Sequence, residues 1–352
     1  MRETLKRSRY LIQETVDHLE WDEFVRQHPQ KNIFQTPQMY DVYQRTKNYE
    51  PIKLFAIEQK THLLCGVLSA VMMREVGGPL GMFATHSVVQ GGPLATEDTD
   101  GLVLPLLMAE HDRRIKRKAL YSEIRNMHNV NQTLENVKHY EYEDHLNFLI
   151  RLDQSEDELW KQIHRARRKN INRAIRQGVE IEEIHDKRLL EVFYGLLRET
   201  YASVGIPLAH TTLFEAAFDT LYPVDMAKFL LAKHNGKHIG ARVVLLFNGA
   251  VYDWYAGASQ QSLDLYPNDL LVWHVLRWGA KNGYKQFDFG GAGKPDVEYG
   301  PREFKRRFGG SLVNYGRHVR VYAPTKIAIA KVGLKFYQKL YSSSKMKTRL
   351  CM

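Results

Sequence analysis

The chain runs twice through one order of patterns. From about residue 9, and again from residue 179, the order is strand, two helices, a run of strands, helix, strand. In the first half, Arg9–Val16, Pro51–Glu58, Leu63–Glu75, Met82–Val89, Tyr121–Arg125 and Tyr142–Leu152 read as strands. Leu19–His28, Pro37–Thr46 and Asp98–Lys118 read as helices. The second half opens with a capping box, Ser155-x-x-Glu158, and a helix running to Gln177 before the C-capping Gly178. Val179–Ile184 is a strand, followed by helices over Lys187–Ser203 and Thr212–Leu221. Strands flanking Asn235-Gly236 and Asn248-Gly249 then read as hairpins, because Asn-Gly supplies the positive φ that tight hairpin turns need. A helix over Asn268–Asn282 and a strand at Phe287–Phe289 complete the repeat. Helices between strands, with hairpins among the strands, specify an α/β (α+β) fold with central mixed sheets. The expected division is 1–152, 153–323 and a basic C-terminal helix over 324–352 packed back on the first domain.

The charge is as uneven as the pattern is regular. The net charge is +10, and no Asp or Glu follows Glu303, while twelve Lys and Arg do. Such an asymmetry points to an anionic partner, namely RNA, a phosphorylated substrate or an acidic membrane surface, with simple solubility as the alternative. Within the tail, Ile329, Val332, Phe336 and Leu340 share one helical face, and Lys331, Lys335 and Lys339 another. That pattern suits packing on the first domain, peripheral contact with the inner membrane surface, or both. No apolar run approaches the ~20 residues a spanning helix needs, and residues 1–10 lack the apolar segment of a signal peptide. The two cysteines, Cys65 and Cys351, do not form a disulfide framework, so the expected location is cytoplasmic. Fifteen histidines show no metal-ligand spacing, and no metal is expected.

The stretch Tyr284–Gly310 carries the chemistry. The strand Phe287-Asp288-Phe289 ends in Gly290-Gly291, and Phe304-Lys305-Arg306-Arg307-Phe308 follows after a polar loop. Phenylalanines four apart lie on one helical face and anchor the turn, so one of the three intervening cations can point into a cleft. A fixed cation there suits a developing oxyanion or a phosphate. The same spacing also describes a surface turn with solvated charges.

These residues carry a resemblance. Tyr255-Ala256-Gly257, the helix Trp273–Gly283, Phe287-Asp288-Phe289-Gly290-Gly291, the Phe304-Lys305-x-x-Phe308 turn and the basic helix Arg167–Val179 resemble the Fem-type aminoacyltransferases. Those enzymes build the peptidoglycan cross-bridge and fall within the GNAT acyltransferase superfamily. The resemblance implies two tandem GNAT-like domains flanking a cleft, with aminoacyl-tRNA as donor and an amino group of an anionic cell-envelope precursor as acceptor. It implies that Lys305 stabilises the transition state, that Tyr255 contacts substrate or moves a proton, and that Arg168, Lys169, Arg173 and Phe304 bind substrate. Two departures stand out. Gly205-Ile206 is followed by Pro207-Leu208-Ala209-His210-Thr211-Thr212, without the Arg and Tyr that clamp a diphosphate in the family, and the long coiled-coil arm of some members is absent. No cofactor is expected. An acyl-CoA-dependent N-acetyltransferase acting on an amino sugar is the second reading, weakened by the glycine-free Leu265-Tyr266-Pro267 before the Asn268 helix. A non-catalytic RNA- or membrane-binding protein is the third.

Overall fold

The computed structural model describes residues 9–74, 85–96, 101–129, 137 and 139–327. In chain order, β1 (Tyr10–Gln13), β2 (Tyr49–Glu58), β3 (Leu64–Arg74), β4 (Thr85–Gln90), β5 (Leu94–Ala95), β6 (Tyr121–Arg125) and β7 (Glu141–Glu143) build a first sheet. Its helices are α1 (His18–Gln27), α2 (Pro37–Gln44) and α3 (Val103–Ile115). A second sheet takes β8 (Leu146–Arg151), β9 (Glu180–Glu183), β10 (Ala227–His234), β11 (Lys237–Phe247), β12 (Ala250–Ala258), β13 (Gln286–Gly291) and β14 (Ser311–Asn314). Around it lie α4 (Glu156–Gln162), α5 (Arg165–Arg176), α6 (Leu190–Val204), α7 (Thr211–Thr220), α8 (Pro267–Lys281) and α9 (Gly300–Arg306). The last described strand, β15 (Arg317–Val321), returns to the first sheet.

The strand orders are β1-β2-β3-β4-β6-β15-β7, with β5 on β3, and β14-β8-β13-β12-β11-β10-β9. Each sheet is antiparallel except for one parallel pair: β4 with β6, and β12 with β13. Each pair is joined through a helix, α3 or α8, as a parallel connection requires. The expected repeat is therefore present, and both sheets are mixed.

Strand membership corrects the expected boundaries in two places. β8, counted with residues 1–152, pairs with β13 and β14 in the second sheet. β15, counted with residues 153–323 and separated from β14 at Tyr315-Gly316, lies between β6 and β7 of the first sheet. The two halves thus exchange strands. They also share one apolar core, in which Trp21 and Phe55 of the first half join Phe193, Phe214 and Phe229 of the second. Arg45 of the first half reaches Asp219 at 2.7 Å, beside the packing of α2 on α7.

The helix expected from Ser155 to Gln177 is also two. The capping box at Ser155 forms as read, but Ile163 is extended (φ −68°, ψ 129°) and His164 caps α5 by accepting the Ala166 N–H. The amide of His164 is held by the carbonyl of Arg307 at 2.8 Å, so the end of the Phe304–Phe308 turn meets the break. Nearly all of the expected C-terminal helix, including its apolar and lysine faces, lies outside the described residues.

Candidate active site

Between the two sheets lies a cavity of about 610 Å³. The second domain delivers its wall through the parallel pair. β12 and β13 are in register from Ala250↔Gln286 to Tyr252↔Asp288 and are no longer paired beyond it. At that opening β12 carries a bulge against β11: Asp253 faces Val244 and Tyr255 faces Val243, leaving Trp254 as the extra residue. A bulge breaks the strict alternation of a strand, and Asp253, Trp254 and Tyr255 all line the cavity. Gly257, two residues on, has no room for a side chain, since a Cβ there would lie 2.7 Å from the Leu196 carbonyl of α6.

Opposite, β13 ends at Gly290, whose φ of +72° favours glycine. This turn lets the Gly290 amide donate to the Asp288 carboxylate at 2.8 Å, while Asn147 Nδ2 donates to the same oxygen at 3.2 Å. Asp288 is buried and lines the cavity. Burial pushes its carboxyl up to about 6, against the pull of the Gly290 amide and Lys305.

Lys305 lies behind this wall. Phe304 and Phe308 pack together at 5.1 Å and both meet Phe289, so α9 is anchored by the two rings as the spacing predicts. Arg306 and Arg307 turn outward and pair with Glu303. Only the Lys305 ammonium of these three points inward, donating to the carbonyls of Phe289 at 2.5 Å and Gly291 at 2.8 Å. Its Nζ lies 3.8 Å from where a Cβ of Gly290 would stand. Burial lowers its pKa, opposed by the nearby charges of Asp253 and Asp288. Asp253 is itself paired with the buried Arg242.

Tyr255 lines the cavity with its ring packed edge-on against Phe214 at 4.9 Å and near Tyr201 at 5.9 Å. Burial pushes its hydroxyl up to about 12, so it stays protonated at neutral pH. Phe304, expected to touch substrate, does not line the cavity: Arg167 lies over its ring at 4.4 Å and is held in turn by Asp269 at 3.1 Å. Arg168, Lys169 and Arg173 sit on α5, also outside the cavity wall, and Arg173 reaches the Tyr266 hydroxyl at 3.2 Å. The departure at Ile206–His210 does enter the cavity, presenting mainly apolar side chains.

Several lining residues escaped the sequence reading. Arg125 on β6 and Arg317 on β15 share the buried carboxylate of Glu123, and Arg317 also donates to His145 Nε2 at 2.9 Å. Asp288 was visible only as part of a strand. Among the described residues no group of His, Cys, Asp and Glu could hold a metal ion, and no helix is long and apolar enough to cross a membrane.

Comparison with known proteins agrees with this architecture. Residues 165–306 match the family described as acetyltransferase (GNAT) domain. Over 85 residues the chain is 32% identical to the lipid II:glycine glycyltransferase of Staphylococcus haemolyticus (strain JCSC1435). That match spans 23% of this chain and about a fifth (20%) of that relative's length. Among solved structures, FemX aligns with a TM-score of 0.67 at 16% identity, covering 89% of this chain and 98% of its own. L-PGS from Bacillus licheniformis aligns at 0.54 and 14% identity, over 90% of this chain and 95% of its own. A tandem GNAT protein from the clavulanic acid biosynthesis pathway aligns at 0.55 and 11% identity, over 90% and 99%. These structural likenesses establish the fold: two GNAT-like domains in tandem. Together with the sequence matches they support an acyltransferase of the Fem type, built on the GNAT fold.

Proposed function

We propose that the protein transfers an aminoacyl group from an aminoacyl-tRNA to an amine of a cell-envelope precursor. The observation that carries this reading is the Lys305 ammonium, held between two main-chain carbonyls where the parallel strands of the second domain part. An ammonium has three donors, and two are engaged, so one is available to an oxyanion.

The reaction follows from the groups around it. The acceptor nitrogen attacks the ester carbonyl, a C–N bond forms, and the carbonyl electrons move onto oxygen. Lys305 stabilises that charge with a preorganised donor. Asp288, ionised above pH ~6, takes the proton from the attacking nitrogen. Collapse breaks the ester C–O bond, and Tyr255 protonates the departing ribose oxygen. Arg168, Lys169 and Arg173, exposed or half-exposed on α5, then serve the tRNA backbone rather than the acceptor. The basic tail suits an acceptor at an anionic membrane surface, and the reading has the protein act in the cytoplasm with peripheral membrane contact.

The acyl-CoA reading is disfavoured by the start of α8. A CoA pyrophosphate would use the free amides of that helix end, but its first turn already contains the buried carboxylate of Asp269, bonded to Arg167 and Asn170. The test is transfer by the purified protein to an amine-bearing muramyl peptide, soluble or lipid-linked, from a pool of charged tRNAs, with acetyl-CoA in parallel. Transfer from tRNA that is abolished by ribonuclease supports the proposal. Transfer from acetyl-CoA alone overturns it.

A further inference from the structure

The part of the cavity wall that β6 and β15 contribute has an arrangement that its own partners do not satisfy. Arg125 and Arg317 are direct cross-strand neighbours in the antiparallel pair β6–β15. Like charges facing one another this way destabilise a sheet. One carboxylate lies between them. Glu123 Oε1 accepts from Arg125 Nε at 2.7 Å and from its Nη2, and Oε2 accepts from Arg317 Nη1 at 2.8 Å. His145 is no counter-charge, because its Nε2 accepts from Arg317 and burial beside that arginine lowers its pKa to about 4. One positive charge is thus left over at the cavity wall. Glu123 is shut away, its side chain 7% exposed, while Arg125 and Arg317 keep 33% and 27% of theirs open. Each guanidinium has five N–H groups and gives two to these partners.

The position of this pair relative to the chemistry is fixed by His145. Its Nε2, bonded to Arg317, lies 2.9 Å from where a Cβ of Gly291 would stand, and the Gly291 carbonyl holds Lys305. The return of β15 to the first sheet brings the arginine there, twelve positions after Lys305.

We propose that Arg125 and Arg317 form a cradle for a singly charged oxyanion of the acceptor, a peptide carboxylate or a phosphodiester, and so hold the acceptor with its amine toward Lys305. The cradle supplies an anion contact in a chain whose Ile206–His210 segment lacks one. This assignment rests on the acyl-transfer reading for the identity of the molecule, but the binding does not require transfer. Guanidinium pairs favour such planar or tetrahedral oxyanions through parallel N–H donation.

Binding to the full-length protein is measured by calorimetry with three probes: an N-acetylated dipeptide acid, the same dipeptide as its amide, and dimethyl phosphate. Binding of the acid but not the amide identifies a carboxylate, and binding of dimethyl phosphate identifies a phosphodiester. Arg317→Met should weaken the bound anion about 10- to 100-fold, the range of a lost charged contact. Glu123→Gln should strengthen it, because the competing charge is gone and the single amide oxygen can accept from only one arginine side, which releases the other guanidinium toward the bound anion. A purely structural role would not produce opposite signs. If Arg317→Met does not fold, Arg317→Lys, which keeps charge but loses the fork, serves with Glu123→Gln. Failure of the wild type to bind either anion, or weakening by Glu123→Gln, overturns the cradle. Lys305→Met should leave anion binding intact. In the wild type, binding without transfer from any charged tRNA refutes the proposed function alone, and tRNA-dependent transfer without anion binding refutes the cradle alone.

Discussion

Replacing Lys305 by methionine separates two roles that the structure gives one side chain. The ammonium donates to the Phe289 and Gly291 carbonyls, and hydrogen bonds to charged groups contribute roughly 1.5–3 kcal/mol each. The gross loss is therefore about 3–6 kcal/mol. Against it stands the desolvation of a buried ammonium, which costs several kcal/mol and disappears with the charge. Methionine preserves most of the stem volume, and Gly291 is half-exposed, so its carbonyl can take water. The net stability loss should be about 1–3 kcal/mol, a drop in Tm of roughly 2–10 °C for units of this size. The rate should fall much further than the fold weakens. Removing one preorganised oxyanion donor costs ~10²–10³ in kcat, so at a temperature where circular dichroism shows the variant fully folded, single-turnover transfer should be slower by that factor. Transfer within threefold of wild type, alongside the drop in Tm, would show that Lys305 only clamps β13 and would refute its catalytic role. Lys305→Arg should recover little, because a planar fork cannot reproduce three divergent donors.

Asp288→Asn should give opposite results for stability and activity. The folded carboxyl titrates near 6, above its unfolded value, so its contribution to stability is complete below pH ~4 and is lost as pH rises through 6, by up to about 3 kcal/mol. The variant should thus melt higher than wild type at pH 8 but not at pH 4, yet transfer slowly, and lose the rise in rate centred near pH 6; an unchanged pH–rate profile would remove Asp288 as the base. Tyr255→Phe keeps the ring on Phe214 and should leave Tm within a degree or two while slowing kcat by roughly 10²- to 10⁴-fold, through loss of a proton donor. Separate expression of 1–152 and 153–352 should yield no folded fragment by circular dichroism, since each loses a strand the other half supplies, whereas coexpression should restore a complex; an independently folded 1–152 would contradict the strand exchange.

Local signals in the sequence carried most of the elements. The Asn235-Gly236 hairpin, the Ser155 capping box and the capping glycine Gly178 after α5 all depend on neighbouring residues, and all are present. Strand exchange could not be read the same way. β8 and β15 alternate like any half-buried strand, and alternation names a face but not a partner. Their partners lie far along the chain: Arg317 pairs with Arg125, and Phe287 with Ile150. The helix break at Ile163–His164 was hidden for a related reason. The apolar stripe continues through it, and the contact that fixes the break, the Arg307 carbonyl on the His164 amide, comes from the far end of the domain.

The site divides along the same line. Lys305 was legible through the resemblance: two rings four residues apart anchor the turn, but the spacing alone left open which of the three intervening cations points inward. Phe304 was assigned to substrate because the sequence does not reveal that Arg167 covers its ring. Arg125 and Arg317 were invisible singly, since an arginine on a strand is ordinarily a solvated residue. Their meaning comes from register. One residue of slip in β15 would turn Arg317 to the other face, away from Glu123, and the cavity would lose half of its surplus charge donors. The strand that crosses between domains therefore does more than lock them together. It brings a charged group from the segment following Lys305 onto the first sheet's part of the cavity wall, so the spacing between the two parts of the wall depends on the docking of the two sheets. A mutation that loosens β15 on β6 should then impair acceptor positioning before it unfolds either domain.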